Sequence, residues 1–345
     1  MQKRQRELSA LTPPASAQRA SRRGRARSVG VGRAHAKAIL LGEHAVVYGA
    51  PALALPVPQL PVTASAGWSE RAPDDTGDVS LTMTGSPTRP VGTQATDWLR
   101  RLTAEFRTRT GIAADVHLDV ILDCAVPPGR GLGSSAACAQ AVVLALADLF
   151  DHDVTEQAAF ELVQTAENVT HGRASGVDAR AVGAAAPLLF QEGRATELPL
   201  GCEGLFIIAD SGEVGRTKDA VALLRAGFER HAGAREHFVR RATELTDEAR
   251  LALADGKPQE LGHRLTEYHE LLRAAGLSTQ RIDTLVQAAQ TAGSLGAKIT
   301  GGGMGGCMIA LTEAEQASAV TRQLHEAGAV QTWVVPLRAR AGHSR

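Results

Sequence analysis

The chain has 345 residues, 44% of them hydrophobic and only 3% aromatic, with 37 Lys+Arg balanced by 37 Asp+Glu. That length admits two domains around a real core, and the scarcity of rings leaves Ala, Val and Leu to build it. A formal net charge of zero argues against nucleic acid or an anionic membrane as principal partner, and no apolar run approaches the ~18 residues that span a bilayer.

Residues 1–28 stand apart. Lys3, Arg4, Arg6, Arg19, Arg22, Arg23, Arg25 and Arg27 lie among Ser, Ala and Pro without an apolar h-region, which reads as a solvated, disordered leader, or alternatively as a transit peptide. The four cysteines, Cys124, Cys138, Cys202 and Cys307, show no CxxC spacing. That disfavours a zinc site or disulfide framework and fits a reduced cytoplasm.

In Gly32–Gly49, GRAHAKAILLGEHAVVYG, Lys37 precedes a strand-like stretch, Ala38 to Leu41, and Gly42 breaks it before Glu43-His44. A Lys, a Glu and a His so close could be held together at a strand end. Taken alone, the segment reads rather as Lys37 reaching solvent and His44 a satisfied core imidazole. Val116 to Val120 alternates apolar and polar, continues towards Asp123, and predicts a half-buried strand. Pro127-Pro128 stops it, and a Gly129–Gly133 loop leads into a helix from Ser134 to about Phe150. A strand, a glycine turn and a helix start make an anion site, because glycine permits close backbone approach and the helix start offers free N–H groups. Its bland alternative is a glycine turn capped by Ser134. The segment is neither GxxxxGK[ST] nor GxGxxG, and HRD and DFG are absent.

Asp153 with Glu156 suggests a capping box for a second helix reaching about Asn168. Glu167 falls near its end, and Asp178 follows in ENVTHGRASGVD, where an acid can be catalytic or a helix cap. Short strands are expected at Pro187–Phe190 and Leu205–Ala209. Helix is expected from Thr217 to Ala292, broken near Gly256–Pro258 and Gly276. A strand near 297–299, the glycine cluster of KITGGGMGGC and a strand Cys307–Leu311 suggest a hairpin whose glycines let the backbone lie against a ligand. A helix from about Glu313 to Glu326 and a strand Gln331–Leu337 close the chain, in an α/β or α+β pattern.

In combination and in this order, these four glycine-bearing segments closely resemble the GHMP kinase superfamily. GEHAVVYG is most similar to its mevalonate kinase branch of bacterial type. The resemblance spans about Val29 to Leu337 and implies an α+β protein. Residues 29–200 would form an ATP-binding domain with a left-handed βαβ crossover, 201–338 a ferredoxin-like domain, and 339–345 a tail. It implies ATP and Mg²⁺ as cofactors and mevalonate, phosphorylated on its 5-hydroxyl, as substrate, and it leaves a homodimer open.

Carried over by position, Pro128, Gly129, Arg130, Gly131, Leu132, Gly133, Ser134 and Ser135 would wrap the triphosphate. Ser135 and Glu167 would coordinate Mg²⁺. Asp178 would face the substrate hydroxyl beside Lys37, and Glu43, His44, Thr217, Gly301, Gly302 and Gly303 would shape the substrate pocket. Ala174 stands where relatives often have Pro, which should loosen that loop slightly, and Gly302 where many have Ala. Arg194, Arg216 and Lys218 are all candidates for the substrate carboxylate. Three alternatives stay open: a phosphomevalonate kinase, disfavoured by His44; a non-catalytic nucleotide sensor, which should have lost Lys37, Glu167 or Asp178; and a dehydrogenase, disfavoured by the missing GxGxxG.

Overall fold

The computed structural model describes residues 28–68, 79–84, 93–112, 117–172, 174–201 and 203–337. Most of the basic leader, Val116, Cys202 and the tail lie outside these residues. In chain order the first half comprises β1 (Val29–Leu41), β2 (Ala52–Trp68), β3 (Val79–Thr84), α1 (Thr93–Thr110), β4 (Leu118–Cys124), α2 (Ser134–Leu149), α3 (Glu156–His171), the short α4 (Val177–Ala181), β5 (Leu188–Gln191) and β6 (Arg194–Glu197). Its sheet runs β3-β4-β2-β5-β6, with β1 also paired to β2. β2 is long enough to serve two neighbours, pairing β4 from Val62 onward and β5 near Ala52. β3 and β4 are parallel and α1 connects them.

Alternation along β1 explains how the sheet takes its helix. Gly30, Gly32, Ala34, Ala36 and Ala38 are buried while Val29, Val31 and Arg33 are exposed. A Cβ on Gly30 would lie 2.2 Å from the Ala145 carbonyl oxygen, and one on Gly32 2.0 Å from that of Ala141. The backbone of α2 therefore rests almost directly on the strand, and α2 buries Ala136, Ala137, Ala139, Ala141 and Ala145. Close backbone packing of small residues fills this core in place of rings.

The second half comprises β7 (Gly204–Asp210), α5 (Thr217–Arg230), α6 (Ala234–Ala254), α7 (Pro258–Ala274), α8 (Gln280–Thr291), β8 (Gly296–Thr300), β9 (Cys307–Thr312), α9 (Ala317–Glu326) and β10 (Gln331–Leu337). Its strands are ordered β10-β7-β9-β8 and every pairing is antiparallel. In chain order that is 4-1-3-2, with helices after the first and third strands, the ferredoxin-like arrangement. β8 and β9 form the expected hairpin. The chain crosses from one sheet to the other between Glu197 and Gly204, and we propose this crossing as the boundary dividing 29–200 from 201–338. The halves are stitched together at Thr300, whose hydroxyl accepts from the Ile39 N–H and donates to the Ile39 carbonyl, both at 2.9 Å. No helix among the described residues is long and apolar enough to cross a membrane.

Several local expectations shift. The cap of α3 is Thr155, whose hydroxyl accepts from the Ala158 N–H, rather than Asp153. The stretch 217–292 has a further break at Gly233, which takes φ 79° ahead of α6. β4 begins at Leu118, and α9 begins at Ala317 because residues after Glu313 first form a turn.

Gly32→Ala should push the α2 backbone away from β1 and destabilise the protein by about 1–3 kcal/mol. Urea denaturation should show a lower midpoint, whereas Val31→Ala on the open face should change little. Equal midpoints for Gly32→Ala and the parent would contradict this packing.

Candidate active site

The Pro127–Ser135 loop hangs between β4 and α2, with Gly129, Gly131 and Gly133 at φ 69°, 77° and 73°. Gly133 is the N-cap of α2 and offers no side chain, so the helix start keeps free N–H groups, contrary to the capped-turn alternative. The loop is fixed from both halves of the molecule. The Lys37 N–H donates to the Leu132 carbonyl at 3.1 Å and the Gly215 N–H to that of Gly129 at 2.8 Å. Arg130 turns away from the loop: its Nε meets the Asp210 carboxylate at 2.8 Å and its Nη2 donates to the Gly212 carbonyl at 3.0 Å. Two of its three guanidinium nitrogens are thus held at the end of β7, while Nη1 is buried without a partner.

The second glycine loop, 301–306, lies back to back with the first. A Cβ on Gly301 would sit 2.6 Å from the Gly131 carbonyl oxygen, and one on Gly306 2.9 Å from that of Arg130. At Gly302 it would meet the Thr217 hydroxyl at 1.9 Å, so Ala there would displace Thr217, while Gly303 approaches His44.

Lys37 is buried, its side chain 3% exposed. Its Nζ lies 2.9 Å from Asp178 Oδ1 and donates to the Gly131 carbonyl at 3.0 Å. Asp178 stands in the first turn of α4, 36% exposed. Gly176, at φ 96°, makes the turn before it. The loop leading there is anchored rather than loosened: the Ala174 N–H donates to Asn168 Oδ1 at 3.1 Å and its carbonyl accepts from Gln164 Nε2 at 2.8 Å. A Pro at 174 could not make the first bond.

Ser135, Glu167 and His171 form a second cluster. Ser135 Oγ is 3.3 Å from His171 Nε2, which is 3.9 Å from Glu167 Oε2. Glu167 is buried and its Oε1 has no hydrogen-bond partner. Burial, then the Asp178 charge, push its carboxyl up to about 7, against the Ser135 hydroxyl and Lys37. Partial burial in the cleft wall holds the His171 imidazole below its usual range. A buried, unpaired carboxylate oxygen beside a hydroxyl is a donor set that fits Mg²⁺. No group of three or more His, Cys, Asp or Glu placed to hold a metal occurs among the described residues, so the Ser135 and Glu167 oxygens would need further ligands, water and phosphate oxygens among them.

Glu43 and His44 form the far wall. Gly42 at φ 101° and His44 at φ 63° turn the chain out of β1. Glu43 is ion-paired to Lys298 of β8, which is fully buried, and the Tyr268 hydroxyl donates to the Glu43 carbonyl at 3.0 Å. Burial raises the Glu43 carboxyl and lowers the Lys298 ammonium, each opposed by the other's charge. Glu43 Oε2 and His44 Nε2 are buried and unpartnered. His44 titrates at about 4 because burial, then Lys298, disfavour its charged form, so its imidazole is neutral at physiological pH. Sequence reasoning passed over Lys298, Tyr268 and His171. The one hint for Lys298 was a lysine inside an otherwise apolar strand.

A cleft of about 810 Å³ gathers these groups. Lys37, Glu43, His44, Gly129, Gly131, Gly133, Ser134, Ser135, Glu167, Asp178, Thr217, Gly301 and Gly302 line it, whereas Pro128, Arg130, Leu132 and Gly303 do not. Of the candidate carboxylate cations, Arg216 and Lys218 line the cleft together with Arg225. Arg194 is an exposed residue of β6 outside it.

Comparison with other proteins gives a consistent answer. The GHMP kinases N terminal domain model matches residues 97–184 and the GHMP kinases C terminal model residues 249–330. The mevalonate kinase of Pyrococcus horikoshii is 30% identical over 312 residues, covering 84% of this chain and 90% of that one. The mevalonate kinase of Thermococcus sibiricus is 32% identical over 309 residues, with the same coverage. The crystal structure of L. major mevalonate kinase in complex with R-mevalonate superposes with a TM-score of 0.78 at 23% identity, covering 92% of this chain and 98% of that one.

The raised Glu167 gives a stability prediction. Without nucleotide and metal, the folded state keeps a proton on Glu167 that the unfolded state, at the ordinary value of 4.5, has lost. Stability should therefore fall as pH rises from about 4.5 through 7. Glu167→Gln should remove that fall, gaining up to roughly 3 kcal/mol over the parent above pH 7 and nothing near pH 4. Thermal midpoints measured across this range check it; parallel curves for the two proteins would contradict it.

Proposed function

The chain belongs to the mevalonate kinase branch of the GHMP kinases, and from that premise we propose that it transfers the γ-phosphoryl group of ATP to the 5-hydroxyl of mevalonate, giving 5-phosphomevalonate and ADP. The observation that carries this reading is the contact between Lys37 Nζ and Asp178 Oδ1 at 2.9 Å, buried behind and open to the cleft in front. Phosphoryl transfer depends on positioning and charge compensation more than on covalent chemistry. Free N–H groups of the 129–135 loop and of the α2 start would hold the phosphates. Asp178 would accept the hydroxyl proton as the bond from that oxygen to the γ-phosphorus forms. The bond to the β–γ bridging oxygen breaks, and its electron pair leaves with ADP. Lys37 would offset negative charge on the group in transit.

Ser135 and Glu167 would hold Mg²⁺, which when bound supplies charge neutralisation on the phosphate oxygens. Glu43 Oε2 and neutral His44 would present an acceptor and, in one tautomer, a donor to the substrate's polar groups. Arg216, Lys218 or Arg225 would take its carboxylate. A non-catalytic sensor has no use for an acid, an ammonium and a metal-type carboxylate in one cleft.

ADP release measured across mevalonate, phosphomevalonate, homoserine and galactose should be fastest with mevalonate; faster turnover of another acceptor would overturn the assignment. Asp178→Asn should remain folded and lose ~10²–10⁴ in turnover. A folded, fully active Asp178→Asn would end the proton-acceptor role.

A further inference from the structure

We propose that His171 supplies a third protein ligand to the divalent cation, so that this site takes a nitrogen-accepting ion such as Mn²⁺ through imidazole as well as oxygen. The inference rests on the reading that Ser135 and Glu167 hold the metal. Glu167 and His171 are four residues apart on α3 and so share one face of the helix. Ser135 reaches the same point from the first turn of α2.

Two atoms that each lie about 2.1 Å from one cation can be no more than about 4.2 Å apart. The separations of 3.3 Å from His171 Nε2 to Ser135 Oγ and 3.9 Å to Glu167 Oε2 fall within that limit. The Glu167 carboxylate, nine-tenths and more buried, brings an unpartnered Oε1 to the cluster. His171 is not a packing residue, because its side chain is 46% exposed and lines the cleft. In the free protein its Nε2 meets the Ser135 hydroxyl at 3.3 Å, with Glu167 Oε2 at 3.9 Å. A cation entering between them exchanges that one hydrogen bond for two ligand bonds. Mg²⁺ favours oxygen and gives up its waters reluctantly, whereas Mn²⁺, a transition-metal ion that also prefers oxygen, admits one imidazole nitrogen more easily than Mg²⁺ does. His171 should therefore matter to Mn²⁺ and little to Mg²⁺.

The test uses the full chain, uniformly ¹⁵N-labelled, with unlabelled ADP and Mn²⁺. Electron spin-echo modulation should show a directly bonded ¹⁵N, which the nucleotide cannot supply. His171→Leu should abolish it and weaken Mn²⁺ binding about tenfold or more, as removal of one metal partner commonly does. Mg²⁺ binding, read by competition, should change much less. If no ¹⁵N coupling appears while Ser135→Ala and Glu167→Gln still weaken Mn²⁺ binding, His171 is not a ligand and the underlying metal site stands. If those two variants bind Mn²⁺ as the parent does, the metal site itself is misassigned and this inference falls with it.

Discussion

An ammonium held almost entirely out of water must be compensated in place, and Lys37 is that ammonium. Its Nζ has a carboxylate oxygen on one side and the Gly131 carbonyl on the other, while its backbone N–H holds the Leu132 carbonyl. One side chain therefore fixes three elements relative to one another: β1, the first glycine loop and α4. Lys37 cannot relax towards solvent without leaving Asp178 and Gly131 unmatched, and that gives the centre of the cleft its shape before any ligand arrives.

The glycines follow from the same crowding. Lys37 fills the space where a Cβ on Gly133 would go, with its Cε 2.9 Å from that point. The second glycine loop presses on the back of the first at Gly131 and Gly301. Each loop leaves the other no room for side chains, and both present backbone to the cleft. A second buried pair, Glu43 with Lys298, spans the two halves where β1 ends beside β8. Together with the Thr300 hydroxyl on Ile39, it makes the position of the ferredoxin-like half a determinant of the cleft wall.

Much of this was legible because it is local. Period-two burial along β4, the glycine loop before an Ala-rich helix, and the hairpin around GGGMGG are each written within about fifteen residues. The cap of α3 is ambiguous in the sequence because Asp153 and Thr155 are both capping residue types, and the break at Gly233 rests on a single glycine inside an otherwise helical stretch. The buried pairings were illegible for a different reason. Glu43 and Lys298 are 255 positions apart, and Arg130 and Asp210 80, and no periodicity reports such partners. Ala174 illustrates the limit of reading one residue at a time: a missing Pro looks like a looser loop until the Asn168 side chain is seen accepting from its N–H.

The central claim is that Lys37 and Asp178 act as one unit on the group being transferred, and a double-mutant cycle on turnover tests it most directly. Turnover numbers for the parent, Lys37→Met, Asp178→Asn and the double variant would be measured on preparations shown to be folded. Residues that act as a unit are strongly non-additive, so the double variant should lose far less than the product of the two single losses. Losses that simply multiply would show that the two side chains act independently and that their contact is a matter of architecture alone.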